Sequence, residues 1–200
     1  MKILFLVYHG FSEANGITKK IHYQVKGLRE NGHDVAMCYY DFDSRGHRCR
    51  FVETVDAVGV SHVETLADYG SGFVAGLRNR MSYGCVADYC ERKGIEAVYA
   101  RCFQNASPML IGFFRRLRKA GIRSVMEIPT YPYDQEFIHF PWNIRLKLAV
   151  DRMFRNSLAK EMEAIVTFSE ATEIFGQRTI RISNGVDFDS TPLHHPTAAA

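Results

Sequence analysis

Residues 2–8 (KILFLVY) form an unbroken apolar run, the pattern of a strand covered on both faces and hence central in a parallel sheet. After the polar stretch 9–16, apolar residues recur at Ile17, Ile21, Val25 and Leu28. Spacings of four, four and three put them on one stripe of a helix, which Gly32 stops. Residues 34–40 (DVAMCYY) then read as a second strand, so the chain opens as strand-helix-strand with a right-handed crossover. Between 41 and 71 the pattern weakens, with short β-like pieces at 50–55 and 57–60.

From Gly72 the alternation returns. A helix with Val74, Leu77, Met81 and Cys85 facing inward leads to a strand at 97–102 (AVYARC). Pro108 suits the first turn of the next helix, which turns Met109, Leu110, Phe113, Phe114 and Leu117 inward, ends at Gly121 and precedes a strand at 122–128. A further helix over about 144–162, with Leu146, Val150, Met153 and Leu158 as its buried stripe, leads to strands at 164–168 and 179–183. This order predicts an α/β fold, a Rossmann-like, doubly wound, mostly parallel sheet with helices on both faces. Residues 1–187 make that domain, and 188–200, passing through Pro192 and Pro196, read as a linker or the start of a further one.

Composition narrows the picture. The 200 residues suffice for one core, with about 70% of the unfolded surface buried on folding. A net charge of +3 is too small to argue for nucleic acid, which is not expected as a partner. Five cysteines without a Cys-x-x-Cys pair, and without histidines at metal spacing, read as reduced thiols with no metal site. The first apolar run is far shorter than the about 20 residues of a membrane span and has no cleavage site after it. A cytoplasmic protein is expected. Cations cluster at Arg115, Arg116, Arg118, Lys119 and Arg123, beside Phe113 and Phe114, and again at Arg145, Lys147, Arg152 and Arg155. At about 1 kcal/mol per cation, the first cluster could hold the domain peripherally on an anionic membrane surface; the alternative is a solvated helix face with both phenylalanines in the core.

If the strands are parallel, the segments following them converge on one edge, where ligands bind in such sheets. These are 9–16, 101–105, 127–136 (EIPTYPYDQE), Ser169 with Glu170, and 184–187 (NGVD). They hold His9, Arg101, Glu127, Tyr131, Tyr133, Asp134, Asn184, Gly185 and Asp187. The first loop offers one glycine, Gly16, rather than Gly-x-Gly-x-x-Gly, so a dinucleotide fingerprint is absent. One glycine still lets a phosphate approach the helix amides, with Lys19 and Lys20 in the same turn; otherwise it only eases the turn. Tyr131 and Tyr133 offer faces to sugar C–H edges and Asp134 can accept two hydroxyl hydrogen bonds, unless the Pro-Tyr-Pro-Tyr loop is packed for structure.

In order, several segments carry a family likeness: KILFLVYHGF followed by Asn15-Gly16; a helix ending LRENGHDV at 28–35; Tyr99-Ala100-Arg101; IPTYPYDQE at 128–136; the strand 164–169; and ISNGVD at 182–187. The chain resembles the N-terminal domain of a family 4 retaining glycosyltransferase of the GT-B fold, of the bacterial polysaccharide-assembly type. The resemblance implies two Rossmann-like lobes, with a glycan or lipid-linked acceptor held mainly by this one. It also implies a nucleotide-sugar as co-substrate, with no other cofactor, held mainly by the second lobe. It places the donor diphosphate near Asn15 and Gly16, the acceptor near His9, Arg101, Glu127, Tyr131, Tyr133 and Asp134, and Ser169, Glu170, Asn184, Gly185 and Asp187 along the cleft between lobes. Many relatives have Gly-Gly where this chain has Asn15-Gly16, and several carry a histidine in the loop that here follows Glu127, so no catalytic residue is assigned. The alternative is a non-catalytic Rossmann-like module that captures a carbohydrate or nucleotide.

Overall fold

A computed structural model describes residues 1–8, 16–101, 106–134 and 141–183. The first apolar run becomes β1 (Lys2–Val7), central because both of its faces are covered. Ile3, Phe5 and Val7 face Ile21 and Val25 of α1 (Gly16–Glu30), together with Val35 and Met37 of β2 (Asp34–Phe42). Leu4 and Leu6 face the opposite way, into a larger core shared with α3 (Gly84–Lys93), α4 (Pro108–Lys119) and α5 (Trp142–Ala159). Alternation of side chains across one strand thus separates two cores.

Among the described residues the sheet runs β4-β3-β2-β1-β5-β6-β7-β9-β8. Its other strands are β3 (Arg48–Val55), β4 (Ser61–Asp68), β5 (Ala97–Arg101), β6 (Arg123–Ile128), β7 (Ala164–Thr167), β8 (Glu173–Ile174) and β9 (Gln177–Arg181). The interior pairings from β2 through β9 are parallel, while β3, β4 and β8 join antiparallel at the flanks. From β1 the chain moves one way to β2, and from β5 it moves the other way through β6 and β7. Right-handed crossovers in opposite directions put α1 on one face and α3, α4 and α5 on the other. The strand order reverses between β1 and β5, which makes their carboxyl ends the topological switch point.

Three expectations change. Residues 57–60 form a turn, not a strand: Asp56 Oδ1 accepts from the Val58 and Val60 amides, and Gly59 takes φ +86°. The strand follows it as β4, mostly exposed and therefore lacking the apolar alternation that marks a half-buried strand. The helix expected from Gly72 through Cys85 is two, α2 (Gly72–Met81) and α3, and Val74, Leu77 and Met81 face solvent. A polar anchor sets that orientation. The buried Arg50 donates through Nη2 to the Asn79 carbonyl at 2.9 Å and to its Oδ1 at 2.8 Å, turning the Ala75–Asn79 side inward. In α5 most of the expected stripe also turns out, with Leu146, Val150 and Met153 exposed; Leu158 is buried as expected, together with Leu148 and Asp151. Asp151 anchors this helix by accepting from the Ala106 amide at 3.0 Å and from the Tyr133 hydroxyl at 2.7 Å.

The helix at 108–119 packs as its periodicity requires, apart from an exposed Met109; Phe113, Phe114 and Leu117 are core residues. Ser107 caps it, accepting from the Leu110 amide. No helix among the described residues is long and apolar enough to cross a membrane.

Candidate functional site at the switch point

Tyr99 and Arg101 are two residues apart on β5, so they share the face under α1, and Glu127 of β6 projects from that same face. On α1, Lys20 and Gln24 lie one turn apart above them. The five side chains meet. Glu127 is fully buried and its Oε2 accepts from Tyr99 Oη at 2.8 Å and from Gln24 Nε2 at 3.0 Å. Its Oε1 lies 3.5 Å from Nη1 of Arg101, itself 5% exposed. The Tyr99 ring stacks on Phe5 at 4.7 Å between centroids, fixing the hydroxyl's direction. Lys20 Nζ sits 3.6 Å above the Phe168 ring.

The electrostatics follow from one buried carboxylate facing two cations. Burial lowers the Lys20 pKa, Glu127 opposes that shift and Arg101 adds to it, as expected of a cation in a net-positive pocket. Burial and then the Glu127 charge push the Tyr99 hydroxyl far above its usual range, so it remains a donor. Several polar atoms here have no hydrogen-bond partner among the described residues: Glu127 Oε1, Arg101 Nε and Nη1, and Gln24 Oε1. Buried polar groups are rarely left so. The arrangement is a buried carboxylate beside a buried guanidinium, both with hydrogen-bonding capacity unused among the described residues.

The other sequence candidates lie around this centre. Gly16 starts α1 with no acidic residue in the first turn, and a Cβ built on it would meet nothing within 4 Å. Ser169 is tied locally to Thr167, whose Oγ1 is 3.1 Å from Ser169 Oγ. Glu170, at the surface, pairs with Arg181 at 3.1 Å. An open cleft of about 540 Å³ at the ends of β7 and β9 is lined, among the described residues, by Phe168, Arg181, Ile182 and Ser183. Phe168 connects this cleft to Lys20. His9, Asn15, Asn184, Gly185 and Asp187 lie outside the described residues, as does the 188–200 segment.

The loop after β6 goes to the opposite face. Tyr131 packs edge-on against Phe175 at 5.6 Å, and Tyr133 is 2% exposed with its hydroxyl committed to Asp151. Asp134 is held by Arg152 at 3.0 Å and Arg155 at 2.7 Å, which keep its carboxyl below the ordinary range against the effect of burial. The Tyr133 hydroxyl and the Asp134 carboxylate are thus engaged by Asp151, Arg152 and Arg155, on the face away from Glu127 and Arg101. Gln24 and Tyr99 are the site residues that the sequence reading did not single out. Strand alternation from Arg101 points to Tyr99, and the α1 stripe places Gln24 beside the inward Ile21 and Val25.

Asp151 joins three segments and supplies a pH test. Burial raises its pKa despite the Tyr133 and Ala106 donors. A carboxyl with a raised folded-state pKa favours folding below its unfolded value, about pH 4, and loses that contribution as pH rises through the folded value. Asp151→Asn has nothing to titrate there. The unfolding free energy of wild type minus that of Asp151→Asn should therefore fall as pH rises from about 4 to 7; urea melts at each pH would oppose this if the difference stayed flat or grew.

Elsewhere, the cations at 115–119 are largely committed. Arg115 and Arg118 pair with Glu161 at 2.9 and 3.0 Å, and Arg116 pairs with Asp88 and Glu91 at 2.7 and 2.8 Å. Asp43, His47 and Asp68 bring potential ligand atoms within 4.8 Å of one another, but Arg45 supplies the cation, bridging both carboxylates at 2.9 Å. Cys38, Cys49, Cys85 and Cys90 are free, and burial pushes the Cys38 thiol up to about 11 and that of Cys90 to about 12, which leaves little thiolate at neutral pH.

No family model matches the chain, and no curated protein matches it. Among solved structures, an inactive zymogen C11 protease from Parabacteroides distasonis matches 83% of this chain and 41% of its own, at 12% identity and a TM-score of 0.35. A secreted C11 cysteine protease from Bacteroides thetaiotaomicron, iotapain, matches 83% of this chain and 45% of its own, at 12% identity and a TM-score of 0.33. The chain thus spans less than half the length of these structures, and at such scores the likeness carries no inference about chemistry.

Proposed function

We propose that this domain is the acceptor-side lobe of a retaining glycosyltransferase that moves a sugar from a nucleotide-sugar to a glycan or lipid-linked acceptor in cell-surface polysaccharide synthesis. The observation that carries the reading is the buried Tyr99–Arg101–Glu127–Gln24 cluster beside Lys20, at the carboxyl edge of the switch point. It joins the family resemblance of the ordered loop segments. Tyr99 and Gln24 fix the Glu127 carboxylate through Oε2, and Glu127 in turn positions Arg101. Arg101 and Lys20 supply positive charge for an anionic or ring oxygen of the ligand. Groups that stabilise the leaving nucleoside diphosphate come from the second lobe in this reading, so the present residues orient the acceptor.

Gly16 tests the donor side. A Cβ there meets nothing within 4 Å, and valine is no worse a helix former than glycine. Its branched side chain would block close approach of a phosphate to the α1 amides. In the two-lobed protein Gly16→Val should weaken nucleotide-sugar affinity about tenfold or more while the melting temperature barely moves. Unchanged affinity by calorimetry would remove the diphosphate from this turn.

A further inference from the structure

The two helices whose apolar stripes turn outward lie on the same side of the sheet. Tyr83, between α2 and α3, and Leu148 of α5 both belong to the larger core on the face opposite α1. Phe73 is 89% exposed and Trp142 76%, and Leu77, Met81, Leu146 and Met153 are exposed behind them at helical spacing. Uncovered apolar surface of this kind marks an interaction site. The charge on it has one sign. Arg78, Arg80 and Arg145 are exposed and Lys147 half-buried, and among the described residues none of them is in an ion pair. The only acid in either helix is Asp151, which is buried. Burial, followed by the nearby Arg80, lowers the Lys147 pKa, so cations of the two helices are close enough to repel.

We propose that the outer faces of α2 and α5 together dock on an anionic lipid bilayer, with Phe73 and Trp142 entering the headgroup boundary and Arg78, Arg80, Arg145 and Lys147 meeting lipid phosphates. Apolar residues flanked by cations without acids are the pattern of interfacial helices, and tryptophan favours that depth. A second copy fits less well, because a two-fold contact would set the same cations against one another. Both helices begin at the carboxyl edge of the sheet, α2 after β4 and α5 after the β6 loop, so docking brings that edge toward the bilayer. The proposal stands independently of the sugar-transfer reading. It also moves membrane contact away from Arg115, Arg116 and Arg118, whose charges are paired.

Trp142 is the sole tryptophan, so its emission reports the patch directly. Phosphatidylcholine vesicles with and without phosphatidylglycerol are titrated into the 200-residue chain. Emission should shift to the blue with the anionic vesicles only, and the half-saturation lipid concentration should rise with salt. Charge reversal by Arg80→Glu with Arg145→Glu should raise it at least fivefold. Leu77→Glu with Leu146→Glu, both at exposed positions, should keep the melting temperature and lose binding tenfold or more. No shift with anionic vesicles overturns the proposal. So does a blue shift that grows with protein concentration without lipid and vanishes in the Leu77→Glu, Leu146→Glu variant, which would assign the face to a second copy.

Discussion

Replacing Glu127 by alanine is expected to destabilise the domain by about 3–5 kcal/mol, the cost of leaving a buried charge without its partner. Arg101, 5% exposed, would lose its Glu127 carboxylate partner, and Tyr99 and Gln24 would each lose an acceptor. Water cannot easily replace a carboxylate that is fully buried beneath α1. The paired change Arg101→Met with Glu127→Leu removes both charges and should recover most of the loss, since apolar replacement of a buried pair is often neutral. Urea unfolding of the wild type, Glu127→Ala and the paired variant measures this. A Glu127→Ala cost under about 1 kcal/mol would mean that the pair is solvated and the pocket open.

Arg101→Met alone should destabilise the fold less than Glu127→Ala while damaging function. Glu127 keeps its Tyr99 and Gln24 donors, with Lys20 still near, whereas a ligand loses the Arg101 guanidinium. A hydrogen bond from a charged group contributes about 1.5–3 kcal/mol, so acceptor kcat/KM should drop by about 10- to 100-fold in the two-lobed protein. Donor affinity should stay within about twofold. Separate titrations of acceptor and donor read the split, and a loss confined to the donor would put this cluster on the nucleotide side.

The parallel core was legible in the sequence because β1 is apolar without interruption and α1 and α4 follow helical periodicity, with Ile21 and Val25 buried in α1 although Ile17, at its start, is exposed. The same rule misplaced α2 and α5. Periodicity finds an apolar stripe but assumes that it faces the core, and in both helices a polar anchor, Asn79 to Arg50 and Asp151 to Tyr133, reverses the assumption. The β4 edge strand was missed for a related reason, since an exposed strand has no apolar alternation to read. Arg101 and Glu127 were visible as polar residues at strand ends. Their convergence with Gln24 and Tyr99 was not, because it depends on α1 lying over β5 and β6, which no local pattern encodes. Tyr133 and Asp134 looked like ligand groups for the same local reasons, and their partners lie 18 and 21 residues away in the chain.

The central claim is that the switch-point cluster handles the acceptor in sugar transfer. It is tested most directly by measuring transfer from a panel of nucleotide-sugars to glycan and lipid-linked acceptors, by this lobe joined to its donor-binding partner. Wild type and the folded Arg101→Met, Glu127→Leu variant are compared. The account predicts transfer by the wild type from at least one donor and a loss of a hundredfold or more in the variant. Undiminished transfer by the variant, or none by the wild type from any donor, would contradict it.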